Sequence, residues 1–127
     1  MPQSPNRRSG GRTDPDTVAY EQRQEASVVI VAGIFEVDPE QRDAFLAGRS
    51  DRMRTSRAEQ GCLEYTFSAD PLDPGRVLLY ERWASQEDLD AHLAAPPTPP
   101  ASPGTEVVPK ATSIVVYDVT GERPLGR

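Results

Sequence analysis

Cysteine is almost absent from this chain: Cys62 is the only one among 127 residues. One Cys excludes an intrachain disulfide and a Cys-based metal cage, so a reduced, cytoplasmic setting is expected. His92 and Trp83 are likewise single copies. Lysine is scarce too, with Lys110 alone among 14 basic residues, the rest being Arg. Positive charge is outweighed by 20 acidic residues, for a net charge of −6. Without a basic stripe to neutralise phosphates, nucleic acid is not an expected partner. No run approaches the roughly 18 apolar residues of a membrane span. The start of the chain, Met1–Gly11, has no apolar stretch and does not read as a secretory signal.

Proline is the exception to this scarcity, with 13 copies unevenly spread. Residues 1–25 are rich in Pro, Gly, Arg, Gln and Asp, with Val18, Ala19 and Tyr20 their only short apolar run. Such a segment cannot bury enough surface to offset its ordering entropy, and a disordered tail is expected. Residues 96–109 hold six more prolines and read as an irregular loop. The folded domain is expected over 26–120, with 121–127 a loose tail.

Within that domain the first strand is Val28–Phe35, apolar at both parities, as for a central strand covered on both faces. Gly33 within it suggests a bulge or a close approach by another group. Asp38, Pro39 and Gln41 read as a capped helix start, with the helix running to Gln60 and stopping at Gly61. Phe45, Leu46 and Met53 mark its buried side. Arg49 falls inside that stripe. It either lays its methylenes on the core and sends its guanidinium to water, or meets a carboxylate (Glu64 or Glu81) or an anionic ligand.

The organising stretch is Gly61–Leu93. Alternation puts Leu63, Tyr65, Phe67 and Ala69 on one side of a strand. The Asp/Pro-rich turn Asp70–Gly75 then leads into a second strand, Arg76–Trp83. Glu81 shares a face there with Leu79 and Trp83, pointing to a sheet end near water or a cavity. Ser85 caps a second helix, with Leu89 and Leu93 facing the core and His92 beside them. The last strand is Thr112–Val119. Strand, helix, strand, strand, helix, strand is the split βαββαβ, ferredoxin-like α+β pattern: a four-stranded antiparallel sheet with helices on one face. The other face is too apolar for water, and a second copy of the chain is its simplest cover.

Three pieces in register, Glu59-Gln60-Gly61-Cys62-Leu63-x-Tyr65, Leu79-Tyr80-Glu81-x-Trp83-x-Ser85 and Leu89-x-Ala91-His92-Leu93, resemble the antibiotic biosynthesis monooxygenase family. The resemblance covers residues 27–95 and, more weakly, 111–119. It implies a dimeric α/β barrel, a homodimer with a pocket between sheet and helices in each subunit. It also implies oxidation of a small phenol or hydroquinone by O₂ with no flavin, metal or haem. Carried over, His92 is the catalytic base, and Trp83 walls the pocket and offers its indole N–H to a substrate oxygen. Phe35, Tyr65, Glu81 and Arg49 are the candidate substrate-binding residues, with Glu81 also placed to orient His92.

The chain departs from the family after Leu93, where relatives carry a second His and a helical lid. Here Ala94-Ala95-Pro96-Pro97-Thr98-Pro99-Pro100 follows. Gly33 stands where the haem-degrading branch has an Asn, and no His follows His92. That pattern speaks against haem degradation. Two other readings stay open: a non-catalytic dimeric barrel binding a small apolar ligand, and an isomerase or lyase of the same superfamily.

Overall fold

A computed structural model describes residues 27–97, 99 and 106–126. The expected disordered tail 1–25 and half of the Pro-rich loop, 98 and 100–105, lie outside the described residues. The elements are β1 (Val29–Glu36), a 3-10 turn (Pro39–Gln41), α1 (Arg42–Ala47) and α2 (Ser50–Arg57). They continue with β2 (Cys62–Ala69), β3 (Arg76–Trp83), α3 (Gln86–Ala94) and β4 (Ala111–Asp118). The four strands form one antiparallel sheet in the order β2-β3-β1-β4. This is the ferredoxin-like α+β fold.

The two parities of β1 divide as its apolar pattern requires. Val29, Val31 and Phe35 are buried on the helix side, while Ile30, Ala32 and Ile34 lie half-buried on the other. Gly33 answers a close approach: a Cβ there would meet the Leu79 Cβ at 3.2 Å, and β1 keeps regular register with both neighbours. The core is aromatic at its centre. Phe35 lies 5.5 Å from Phe45 and 5.7 Å from Phe67, ring centroid to ring centroid, and Tyr65 lies 5.9 Å from Phe67. Tilted contacts of this kind add to the burial energy.

The single helix expected over 39–60 is instead interrupted. Pro39 opens a 3-10 turn, in which Gln41 N–H donates to the Asp38 carbonyl, and neither Asp38 nor Gln41 caps through its side chain. The chain then loosens at Gly48 and Arg49 before α2 resumes. Gly is a weak helix former, and Arg49 N–H here closes a tighter turn on the Leu46 carbonyl at 3.0 Å.

A second correction concerns β2. Its pairing with β3 slips between Cys62 and Glu64, so two residues answer one. This β-bulge resets the alternation. Cys62 sits opposite Trp83 and packs on the core, Leu63 turns outward at 48% exposure, and Tyr65 and Phe67 return inward.

The β2–β3 turn is fastened by its own aspartates, with Asp70 accepting from Leu72 N–H and Asp73 from Gly75 N–H. Arg42 of α1 reaches over it, its Nη1 donating to the carbonyls of Asp70 at 2.8 Å and Asp73 at 2.7 Å. Just before β2, Gly61 packs against the start of α3. Gly61 has φ +80°, and a Cβ there would lie 2.1 Å from an Asp88 carboxylate oxygen. Asp88 is itself held by the α3 cap, where Ser85 Oγ accepts from Asp88 N–H.

Candidate functional site

A cleft of about 160 Å³ opens between the end of α2 and the end of α3. Arg52, Thr55, Ser56 and Glu59 line one side, and His92, Leu93, Ala95, Pro96 and Pro97 the other. Arg52, Ser56 and Glu59 recur at helical spacing, which puts them on one face. Pro96 and Pro97 form a rigid apolar rim where α3 cannot continue.

His92 is the chemical centre of this cleft. Its Nδ1 lies 2.6 Å from Glu59 Oε1. A carboxylate can only accept, so the proton of this bond belongs to Nδ1. Nε2 has no hydrogen-bond partner among the described residues and, in the neutral ring, is the nitrogen that carries the lone pair. The ring is sandwiched in aromatic surface, 4.7 Å from Trp83 and 5.4 Å from Tyr65 between ring centroids. The hydrogen bond and the ring contacts together fix the orientation of the imidazole.

Behind His92 lies a buried polar layer. Trp83 is fully buried, and its indole N–H donates to Glu81 Oε1 at 2.9 Å. Glu81 is itself buried, and that burial raises its carboxyl pKa, against the opposing pull of the Trp83 N–H, His92 and Arg52. Burial likewise raises the Tyr65 phenol, helped by Glu81, while hydrogen bonds with Arg52 and Ser56 act the other way. Cys62 is raised by burial and by Glu59, so its thiol is not an activated nucleophile.

Of the six residues singled out from the sequence, only His92 lines the cleft. Trp83, Tyr65 and Glu81 form the layer behind it, and the Trp83 N–H is held by Glu81. Phe35 packs in the aromatic core. Arg49 stacks its guanidinium over Phe45, 4.2 Å from the ring centroid, and pairs with neither Glu64 nor Glu81. Glu64 instead accepts from Thr66 and Tyr65. Glu59 and Arg52 were missed as site residues. Glu59 heads the Glu59-Gln60-Gly61 stretch, and Arg52 borders the buried helical stripe, but neither signal says that α2 ends against α3. Among the described residues no group of three or more His, Cys, Asp or Glu is placed to hold a metal ion.

The family model described as antibiotic biosynthesis monooxygenase matches residues 28–98, more than half of the chain. The protein belongs to the antibiotic biosynthesis monooxygenase family. Its structure is similar to that of a putative antibiotic biosynthesis monooxygenase from Deinococcus radiodurans, with TM-score 0.64 and 22% identity. That match covers 78% of this chain and 99% of that one. The Rv0793 protein of Mycobacterium tuberculosis is similar at TM-score 0.56 and 27% identity, over 80% of this chain and 98% of that one. An uncharacterized protein of Synechocystis sp. is 32% identical over 68 residues, 54% of this chain. The chain matches 46% of that relative's length, less than half. The two solved structures share the overall fold of this chain. None of the described helices is long and apolar enough to cross a membrane.

Proposed function

We propose that this protein is a cofactor-independent monooxygenase that oxidises a small phenol with O₂ and acts as a homodimer. The observation that carries the reading is the His92–Glu59 pair on the cleft wall. His92 Nε2 takes the phenolic proton, and Glu59 steadies the imidazolium that results. The electron-rich phenolate gives one electron to O₂, and the two radicals combine at the ring carbon para to the oxygen. The resulting peroxide anion takes back the proton held by His92 to become C–OOH, which loses water as its O–O bond and the C–H bond break. A quinone carries one oxygen atom and water the other, so phenol plus O₂ becomes quinone plus H₂O. The protein's part is to bind, deprotonate and shield the ring.

The dimer rests on the outer sheet face. Tyr80, Ala32 and Val115 form one cross-strand row there, and Leu78, Ile34 and Ser113 the next. Strand β4 is uncovered on both sides, with Ile114, Val115, Val116 and Tyr117 each about half exposed. A second copy packed sheet to sheet removes this surface from water.

A second reading, a barrel that binds a small apolar ligand without turnover, draws on Trp83. Its N–H is given to Glu81 and is not offered to a ligand oxygen. O₂ uptake by the purified, metal-free protein with a panel of phenols, hydroquinones and anthrones separates the two. Catalysis predicts uptake above background, ¹⁸O from ¹⁸O₂ in the quinone, and loss of both in His92→Ala. Ligand-induced thermal stabilisation without uptake leaves only the binding reading.

A further inference from the structure

We propose that the substrate is a single-ring phenol bearing a carboxylate, with the carboxylate held by Arg52 and the phenolic hydroxyl turned to His92. This rests on the monooxygenase reading for its chemistry, but on the cleft alone for its geometry.

Size sets the first limit. A cavity of about 150 Å³ holds one benzene ring, whereas multi-ring ligands take pockets of roughly 300 Å³ or more. The cleft, at about 160 Å³, has room for one ring between the Arg52–Glu59 side and the side formed by His92, Leu93 and the Pro96–Pro97 rim.

Charge sets the second limit. From Arg42 to Arg82 the arginines have their partners within the fold. Arg54, Arg57, Arg76 and Arg82 each face a carboxylate. Arg42 caps turn carbonyls, and Arg49 covers the Phe45 ring. Arg52 is different. It hydrogen-bonds the neutral Tyr65 hydroxyl, draws on the buried Glu81 carboxyl behind it without a salt bridge among the described residues, and lines the cleft. A guanidinium carries five donors in a planar fork that matches a carboxylate, so most of its bonding capacity remains to be used. The carboxylate across the cleft, Glu59, is committed to His92. A neutral phenol would leave this capacity unanswered; an anionic substituent on the ring answers it.

The test compares 3-hydroxybenzoate with 3-hydroxybenzamide, which differ at the charged group alone, by isothermal titration calorimetry on the full-length protein. Expected is tighter binding of the benzoate by about tenfold to a hundredfold, the range for a charge-assisted hydrogen bond. Arg52→Gln should erase the difference by weakening the benzoate far more than the benzamide, and Arg52→Lys should retain part of it. Equal affinities in the wild type, no binding of either, or discrimination that survives in Arg52→Gln would overturn the proposal. Should Arg52→Gln fail to fold by circular dichroism, a salt series on the wild type decides instead. Benzoate binding must weaken with salt more than benzamide binding, and a flat response overturns the idea. O₂ uptake run beside the titrations separates this inference from the reading it rests on. Arg52-dependent discrimination without O₂ uptake keeps the ligand class and ends the monooxygenase reading. Uptake with both ligands alike and no discrimination does the reverse.

Discussion

His92 and Glu59 stand 33 positions apart in the sequence and 2.6 Å apart in the fold. The contact joins the turn after α2 to the last turn of α3. It leaves Nε2 as the basic nitrogen of a residue on the cleft wall. If this pair is the base of the reaction, His92→Ala should lower kcat by about 10²–10⁴-fold, the usual worth of general-base catalysis. Glu59→Gln, which still accepts the Nδ1 proton but carries no charge, should cost less. Steady-state O₂ uptake is the measurement, and unchanged turnover in His92→Ala would falsify the assignment.

Glu81 supplies a pH dependence whose sign follows from its burial. Its folded-state pKa lies above the ordinary value of 4.5 because the charged form is desolvated. The folded protein therefore holds this proton at pH values where the unfolded chain has lost it. The contribution to stability is fully present below 4.5 and is lost as pH rises through the folded pKa. Glu81→Gln keeps an acceptor for the Trp83 N–H and removes the titration. Its melting temperature should exceed that of the wild type near neutral pH, and the gap should close on acidification toward pH 4.5. Parallel melting curves for the two proteins across that range would contradict this account.

Gly61 predicts a sharp steric penalty. At φ +80° a Cβ is strained in any L residue, and here it would also strike the Asp88 side chain. Gly61→Ala should destabilise the fold by at least about 1–2 kcal/mol. Gly121→Ala is the control, since a Cβ there meets nothing within 4 Å. Urea unfolding of the two variants should differ clearly in midpoint, and equal midpoints would remove the claim.

The outer sheet face bears on assembly. Size exclusion with light scattering should report twice the 13.9 kDa protomer mass. Tyr80→Asp combined with Val115→Asp places two charges in one cross-strand row and should yield a monomer. A wild-type monomer would show that the apolar face needs no second copy.

The order of elements was legible because alternation, turn residues and the Ser85 cap are local signals, set by backbone geometry over a few residues. Helix α3 starts where Ser85 places it, and the β2–β3 turn folds on its own aspartates. The helix expected over 39–60 breaks at Gly48, an exposed weak helix former, where Arg49 N–H closes a tighter turn on the Leu46 carbonyl. Leu63 was placed inward because strict alternation has no means of expressing a bulge, and Cys62 took the core position opposite Trp83 instead.

The sequence alone determined that this is a four-stranded α+β chain of a recognisable family. Those facts rest on periodicity and on residue types at short spacing. Only the tertiary structure decided which groups surround His92 and Trp83. It turned the Trp83 N–H to Glu81, stacked Arg49 on Phe45, and brought Glu59 and Arg52 from α2 and its following turn to the cleft beside His92. Pairings of this kind depend on how two helices end against each other across one sheet. That is a property of packed surfaces, and no local pattern carries it.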